Sequence, residues 1–227
     1  MTQSAAKLGI VVFPGSNCEL DVAHVAPLVG AEPVLVWHGD KDLPDVDAMV
    51  LPGGFAHGDY LRTGAIARFS PIMDAVREHA EAGKLVIGIC NGFQILCESG
   101  LLPGALRKNA GLKFLCKWVD LEIVTTATPF TSRAEAGQVL RIPINHFEGS
   151  WYCADQTLQS MRSNDQVVLR YVDNPNGSLE SIAGICNERK NVFGLMPHPE
   201  RACESLLGSE DGKLILGSMI DHLGVRA

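Results

Sequence analysis

The segment from Val86 to Gln94 constrains the fold more than any other part of the sequence. An apolar run typical of a β-strand ends at Cys90, which has Gly88 and Gly92 on either side, and helix-compatible residues follow. This pattern predicts a strand, a tight turn and a helix, with the thiol presented at the corner. The positive end of the helix dipole favours the thiolate form of such a cysteine. The alternative is a buried structural cysteine, and the two glycines argue against it.

The first half of the chain alternates strand and helix patterns, which predicts a doubly wound α/β fold with helices on both faces of a mostly parallel sheet. Strands are expected at 8–13, 33–37, 48–51 and 85–89, and helices at 17–28, 66–81 and 91–99. The second half predicts additional antiparallel strands at 117–125, 138–144, 166–172, 180–186 and 191–196, and a closing helix at 211–223. Hairpin turns are expected at 174–177 and 188–191. We expect one domain over 1–227, because no linker-like segment divides the chain.

A thiolate nucleophile requires a base, and His198 is the best candidate in the sequence. It follows an expected strand and lies between Pro197 and Pro199, which hold the segment extended. The imidazole of His198 could accept the thiol proton, and the carboxylate of Glu200 could fix its tautomer, as in a catalytic triad.

A third motif, Pro52-Gly53-Gly54, follows another expected strand. Backbone N–H groups in a glycine-rich turn can approach a substrate closely and stabilise an oxyanion. Taken alone, the motif would be an ordinary turn, but all three motifs fall at the carboxyl ends of strands, where α/β proteins bind ligands.

Composition excludes several functional classes. The net charge of −7, without a Lys/Arg cluster, disfavours binding to nucleic acid or to an anionic membrane. Seven cysteines without a Cys-x-x-Cys pair indicate a reducing, cytoplasmic compartment. Apolar runs are too short to span a membrane, and the N-terminus lacks a signal-peptide pattern.

Other motifs give weaker signals. Pro14-Gly15-Ser16-Asn17 is expected to be a plain strand–helix turn rather than a phosphate site, since the nucleotide-binding glycine patterns are absent from the sequence. The pairs His57/Asp59 and His146/Glu148 lack further ligands at zinc-like spacing, so we expect polar loop residues and no metal.

Together the strings Pro52-Gly53-Gly54, Gly88-Ile89-Cys90-Asn91-Gly92-Phe93-Gln94 and His198-Pro199-Glu200 resemble the class I, triad-type glutamine amidotransferases. Within that family, further strings resemble the glutaminase subunits of phosphoribosylformylglycinamidine synthases, which act in purine biosynthesis. These strings include 13–18, 53–62, 97–104, 174–178 and 196–201, and the resemblance covers about Gly9 to Leu223. Phe147 stands where relatives often have glycine.

The resemblance implies a glutaminase with Cys90, His198 and Glu200 as its catalytic residues. It implies a glutamine pocket that includes Gly53, Gly54, Asn91, Gln94, His146 and Phe147, with an oxyanion held by N–H groups of Asn91 and of Gly54 or Gly53. Ammonia would pass to an ATP-dependent synthetase chain that binds ATP, magnesium and formylglycinamide ribonucleotide, together with a small accessory subunit. No cofactor is implied on this chain.

Two alternatives remain at this point. A stand-alone cysteine hydrolase of the same fold, such as a γ-glutamyl hydrolase, would share the cysteine and the histidine. It would generally lack the Gly-Phe-Gln continuation after Cys90 and the string His-Pro-Glu-Arg. A non-catalytic regulatory protein on the same fold would be expected to have lost Cys90 or His198, and both are present.

Overall fold

A nine-stranded sheet forms the centre of the molecule in the computed structural model, which describes residues 5–224. Across the sheet the strands follow the order β2 (Ala31–Trp37), β1 (Ala6–Val12), β3 (Ala48–Leu51), β4 (Leu85–Ile89), β11 (Val192–Leu195), β10 (Ile182–Cys186), β9 (Val167–Tyr171), β6 (Leu115–Ile123) and β7 (Val139–His146). A separate two-stranded ribbon pairs β5 (Ala105–Arg107) with β8 (Ser150–Tyr152).

The sheet has a parallel half and an antiparallel half. Every pairing in the series β2-β1-β3-β4-β11 is parallel, whereas β11-β10-β9-β6-β7 pair antiparallel. The strands β3, β4 and β11 are buried along their whole length, as expected for parallel strands covered on both faces. Because their carboxyl ends meet at one edge of the sheet, the turns after these three strands lie close together.

Five α-helices accompany the sheet in the described part of the chain: α1 (Glu19–Val25), α2 (Ile72–Glu81), α3 (Asn91–Glu98), α4 (Asp155–Ser163) and α5 (Gly212–Gly224). The α/β architecture predicted from the sequence is confirmed, and the helix boundaries need two corrections. The helix expected over 17–28 ends at Val25, and Pro27 opens a 3₁₀ turn that finishes at Gly30 in the left-handed region. The helix expected over 66–81 begins only at Ile72, because Pro71 interrupts it and leaves a 3₁₀ turn at Ala67–Phe69.

The sequence analysis missed β5, β8 and α4. The two strands have three residues each, which is too short for a period of two to be visible. Helix α4 is polar, and only Leu158 and Met161 are buried, so its apolar stripe is narrow. No helix in the range 5–224 has the length and apolar character needed to cross a membrane.

His79, on α2, is buried, and its Nε2 has no hydrogen-bond partner within the described chain. Burial, reinforced by the charge of Lys84, lowers its pKa to about 4. Between these two pKa values the unfolded chain binds a proton at His79 that the folded chain does not bind. The part of the stability that depends on neutral His79 is therefore fully present above pH 6.5 and is lost as the pH falls toward 4. The slope for one such group is about 1.4 kcal/mol per pH unit.

We expect His79→Gln to remove this part of the acid sensitivity. Urea unfolding at about pH 7.5 and about pH 5 would measure it, because the free energy of unfolding should fall less steeply in the variant. His24, which is exposed on α1, supplies the control variant His24→Gln. An unchanged pH dependence in His79→Gln would contradict the expectation.

Candidate active site

Cys90 lies at the corner between β4 and α3, with a backbone conformation that non-glycine residues rarely adopt. Its φ is +51° and its ψ is −104°, and its N–H donates to the Leu195 carbonyl at 2.8 Å. A side chain at Gly92 could not be accommodated, since its Cβ would lie 1.9 Å from the Leu51 carbonyl oxygen on β3. A Cβ at Gly88 would lie 2.7 Å from the backbone of Gly92. The two flanking glycines therefore permit the strained corner predicted from the sequence.

His198 and Glu200 form a buried pair just after β11. The His198 Nδ1 lies 2.6 Å from Glu200 Oε1, and both residues are 1% exposed. The His198 N–H donates to the Pro143 carbonyl at 2.9 Å, which fixes the backbone of the segment. Because Glu200 occupies Nδ1, the nitrogen left for proton transfer is Nε2, and it has no hydrogen-bond partner among the described residues.

The electrostatics of this pair favour the imidazolium. Burial alone would lower the pKa of His198, but the charges of Glu200 and of the Cys90 thiolate outweigh it and raise the pKa well above its usual value. The structure therefore brings together the cysteine and histidine that the sequence analysis paired. A thiolate beside an imidazolium is a nucleophile and a proton donor in one unit.

A second thiol, that of Cys18, lies close to His198. Its Sγ is 3.9 Å from His198 Nδ1 and accepts a hydrogen bond from Arg201 Nη2 at 3.2 Å. Burial raises the pKa of Cys18, although its hydrogen bond to His198 acts in the opposite direction. Cys18, His198 and Glu200 are near enough to share a metal ion, with ligand atoms within 4.8 Å of one another. Cys18 lies on the Nδ1 side of the imidazole, which Glu200 already occupies.

The turn after β3 packs directly on His198. A Cβ at Gly53 would lie 2.7 Å from His198 Cε1 and 3.1 Å from Cys18 Sγ, so only glycine fits there. The Gly53 carbonyl accepts hydrogen bonds from the N–H groups of Asn17 and Cys18, each at 3.2 Å. Gly54 has a φ of +147° and forms a β-bridge with Ser16. The turn at 14–17 thus serves as a support for the predicted oxyanion loop.

Asn91, the first residue of α3, connects this loop to the helix that follows Cys90. Its Oδ1 accepts from the Ala56 N–H at 3.0 Å, and its Nδ2 donates to Asp59 Oδ1 at 3.1 Å and to Gln94 Oε1 at 2.9 Å. Gln94 in turn donates from Nε2 to the Glu148 carbonyl at 2.5 Å. The side chains of Asn91 and Gln94 therefore hold segments of the site in place, and the backbone N–H of Asn91 is the group that remains as a predicted oxyanion donor.

A cavity of about 220 Å³ opens above Cys90. This volume is below the range of roughly 300–1,000 Å³ typical of drug-sized ligands and suits a smaller molecule. Five residues predicted for the site line it, namely Gly54, Cys90, Gln94, His146 and Phe147, whereas Gly53, Asn91, His198 and Glu200 are not among the lining residues. The wall also contains residues that the sequence analysis did not place there: Phe55, Asp59, Thr63, Asn145 and Glu148.

Asn109 is a structural support that the sequence analysis missed. Its Oδ1 faces His146 Nδ1 and accepts from the Gly149 N–H, both at 3.1 Å, while its Nδ2 donates to the His146 carbonyl at 3.0 Å. Its N–H donates to the Phe147 carbonyl at 2.9 Å. The buried Asn109 therefore holds the cavity wall at 146–149. The sequence analysis could not identify this role, because Asn109 lies far from that wall in the sequence.

Comparison with known proteins gives a consistent picture. The model of the CobB/CobQ-like glutamine amidotransferase domain matches residues 5–212. The chain is 54% identical over 230 residues to a protein of Koribacter versatilis named phosphoribosylformylglycinamidine synthase subunit PurQ, covering 97% of this chain and 100% of that one. A protein of the same name from Salinibacter ruber is 51% identical, covering 98% and 99%.

Among solved structures, a chain of "Structure of PurLQS from Thermotoga maritima" has a TM-score of 0.89 and 50% identity, and the match covers 96% of this chain and 99% of that one. A glutamine amidotransferase from the same organism, at 14% identity and a TM-score of 0.64, shares the fold, with 96% and 98% of the two chains covered.

Proposed function

The chain belongs to the CobB/CobQ-like glutamine amidotransferase family, and on that premise we infer that it is the glutaminase subunit of a phosphoribosylformylglycinamidine synthase. It hydrolyses glutamine to glutamate and ammonia for the synthesis of formylglycinamidine ribonucleotide, a step of purine biosynthesis. Its partners are an ATP-dependent synthetase chain and a small accessory chain. The observation that carries the glutaminase chemistry is the buried His198–Glu200 pair, joined at 2.6 Å and interacting electrostatically with Cys90, which lines the cavity.

We propose the following roles for the residues of the site. The thiolate of Cys90 attacks the carbon of the glutamine side-chain amide and forms a tetrahedral oxyanion. The N–H groups of Asn91 and of Gly54 or Gly53 stabilise that oxyanion, and loss of one such donor costs about 3 kcal/mol. The C–N bond breaks as His198 Nε2 delivers a proton to the leaving ammonia, and Glu200 holds the imidazole. Water, activated by His198, then hydrolyses the γ-glutamyl thioester to glutamate.

Compartment and cofactors follow from the same proposal. ATP and magnesium bind on the synthetase chain, and this chain works as one domain in the cytoplasm. Its seven cysteines are all free thiols, which suits a reducing compartment.

The segment 53–62 is proposed as the element through which the synthetase controls the site. It contains three non-glycine residues at positive φ, namely His57, Asp59 and Leu61, and such strain is common in segments that switch. The side chains of Tyr60 and Leu61 are exposed, at 74% and 89%. The same segment is bonded to Asn91, so a contact at its tip can reach the residue next to the nucleophile.

We expect slow glutamine hydrolysis by the isolated chain, and an increase of about tenfold or more when the synthetase is loaded with ATP and formylglycinamide ribonucleotide. Tenfold corresponds to about 1.4 kcal/mol in the activation barrier. Glutamate production, measured with and without the reconstituted complex, tests this. Leu61→Ala should lose the activation and keep the basal rate, whereas Leu206→Ala, at an equally exposed leucine away from the loop, should behave as wild type.

Rapid glutamine hydrolysis at a rate that does not depend on the synthetase would instead support the stand-alone hydrolase. A complete absence of glutamine hydrolysis in the complex would favour the non-catalytic alternative.

A further inference from the structure

The thiol of Cys18 is a buried group that the proposed mechanism does not use. Cys18 comes directly before α1 and lies on the Nδ1 side of His198. With Glu200 these residues provide a thiol, an imidazole and a carboxylate, whose ligand atoms lie within 4.8 Å of one another. In the range 5–224 no other three His, Cys, Asp or Glu side chains are placed to share a metal ion. Thiolate, imidazole and carboxylate are the ligands that zinc takes in proteins.

The distances around His198 Nδ1 are close to those of a zinc site. Cys18 Sγ lies 3.9 Å from this nitrogen, and Glu200 Oε1 lies 2.6 Å from it. Zinc bonds of about 2.0–2.3 Å in a tetrahedral arrangement separate the ligand atoms by about 3.4–3.6 Å. A change of less than about 1 Å in each of the two distances therefore admits the ion.

The second oxygen of Glu200 gives an independent indication of a cation. Glu200 is buried, and its Oε2 has no hydrogen-bond partner in the described part of the chain. A buried carboxylate oxygen without a donor is costly, because it has lost its hydration. A metal ion bound between this carboxylate, Cys18 and His198 would remove that cost.

The charges around the three ligands suit a divalent ion. A thiolate at Cys18 and the carboxylate of Glu200 supply two negative charges, which balance those of Zn²⁺, and the imidazole binds as a neutral ligand. Arg201 adds a positive charge, but its Nε donates to Asp21 Oδ2 at 3.1 Å, so these two charges compensate each other. Arg201 Nη2 also donates to Cys18 Sγ at 3.2 Å, and a charged donor of this kind stabilises a thiolate.

Arg201 also marks the route by which an ion reaches the thiol. Its side chain is 33% exposed and that of Asp21 is 44% exposed, whereas Cys18 is buried. Because Arg201 contacts both the solvent and Cys18, rotation of its side chain exposes the sulfur. The carboxylate of Asp21 attracts a cation to the same place.

We propose that Cys18, His198 and Glu200 form an inhibitory zinc site, in which the ion binds Cys18 Sγ, His198 Nδ1 and a carboxylate oxygen of Glu200. The ion takes the place of the protons on Sγ and Nδ1, and a water molecule fills the fourth position. Mg²⁺ and Ca²⁺ prefer oxygen ligands, so the thiolate selects against them.

The consequence of zinc binding is a blocked histidine. The ion separates His198 from Glu200 and neutralises the charge that stabilises the imidazolium. An imidazole with zinc on Nδ1 and a proton on Nε2 has no lone pair left to accept a proton, so glutamine hydrolysis stops. The inhibition rests on the glutaminase function proposed above, whereas the binding of zinc does not.

Cobalt(II), a coloured substitute for zinc, tests the site directly in Cys90→Ala, which lacks the proposed nucleophile. We expect one Co²⁺ per chain and a thiolate-to-cobalt charge-transfer band, which Zn²⁺ removes and Mg²⁺ does not. A further change of Cys18→Ser should abolish the band. The matched control adds Cys186→Ala, which removes a buried thiol on β10 and should keep the band. Thermal unfolding shows that each variant is folded.

Glutamate release by the reconstituted complex tests the inhibition. Zinc should inhibit the wild type, and EDTA should restore the rate. Cys18→Ser should require at least about tenfold more zinc for equal inhibition, since even the loss of an outer-shell partner weakens metal binding by about 10- to 100-fold. Cys186→Ala should respond to zinc as the wild type does.

A cobalt band that is absent from Cys90→Ala, or that survives Cys18→Ser, would overturn the site. Wild-type activity that resists zinc would overturn the inhibitory role. Equal sensitivity of Cys18→Ser and the wild type would do the same, because it assigns the inhibition to another group, such as Cys90. A chain that binds cobalt through Cys18 but does not hydrolyse glutamine keeps the metal site and loses the glutaminase assignment.

Discussion

Replacement of Cys90 by alanine is expected to abolish glutamine-dependent activity while the protein stays folded. The rate should fall by at least about 10⁴-fold, or about 5 kcal/mol in barrier, because no other group can form the thioester. Thermal unfolding should change little, since the side chain contributes one sulfur atom at a turn. Steady-state glutamate release by the variant and the wild type measures the loss. Turnover within tenfold of the wild type would refute the mechanism.

Chemical labelling provides an independent test of the same residue. A diazo-ketone analogue of glutamine should modify Cys90 alone among the seven cysteines, because this thiol lines the cavity. Cys18 is the informative competitor, since it also lies near His198, but burial raises its pKa and it is not among the residues that line the cavity. A general thiol reagent should instead prefer Cys116, which is exposed. Labelling of Cys18 by the glutamine analogue would instead identify Cys18 as the nucleophile.

His198→Ala is expected to be nearly as damaging as the loss of the thiol, and Glu200→Gln considerably less so. In the proposed mechanism His198 transfers the proton, whereas Glu200 only orients the imidazole and stabilises its charge. The difference should be about two orders of magnitude in kcat. The matched control is Glu204→Gln. Glu204 lies four positions after Glu200, and its carboxylate pairs with His24 at 2.9 Å.

The pH profile distinguishes the role of Glu200 from simple structural support. The charge of Glu200 raises the pKa of His198 against the effect of burial. When that charge is removed, burial dominates and the pKa falls, so the imidazolium is lost at a lower pH. The alkaline limb of the rate profile should therefore move to lower pH in Glu200→Gln. An unmoved limb with a reduced rate would mean that the carboxylate acts by packing alone.

The catalytic corner could be predicted because its constraints are local in sequence. The glycines around Cys90 and the prolines around His198 each specify backbone geometry within a few residues, and strand ends in parallel sheets converge. The same reasoning predicted that Gly53 and Gly54 come directly after a strand, and that strand is β3. The catalytic roles of these residues stay predictions until the variants are measured.

The supports of the site could not be predicted, because they depend on contacts between distant segments. Asn109 holds 146–149 through four hydrogen bonds that no periodicity indicates. Asp59 and Glu148 were expected to be polar loop residues, and nothing in their spacing reveals that they face the cavity that His146 was predicted to line. Side-chain networks of this kind depend on the register of the completed sheet.

Strand β11 lies between β4 and β10, and it leads directly into the segment that carries His198. During synthesis, β4 and Cys90 are complete long before β11 leaves the ribosome. A chain that ends before β11 therefore contains Cys90 but lacks His198, and its central sheet lacks a strand. The proposed glutaminase chemistry is therefore assembled only when β11 takes its place between β4 and β10.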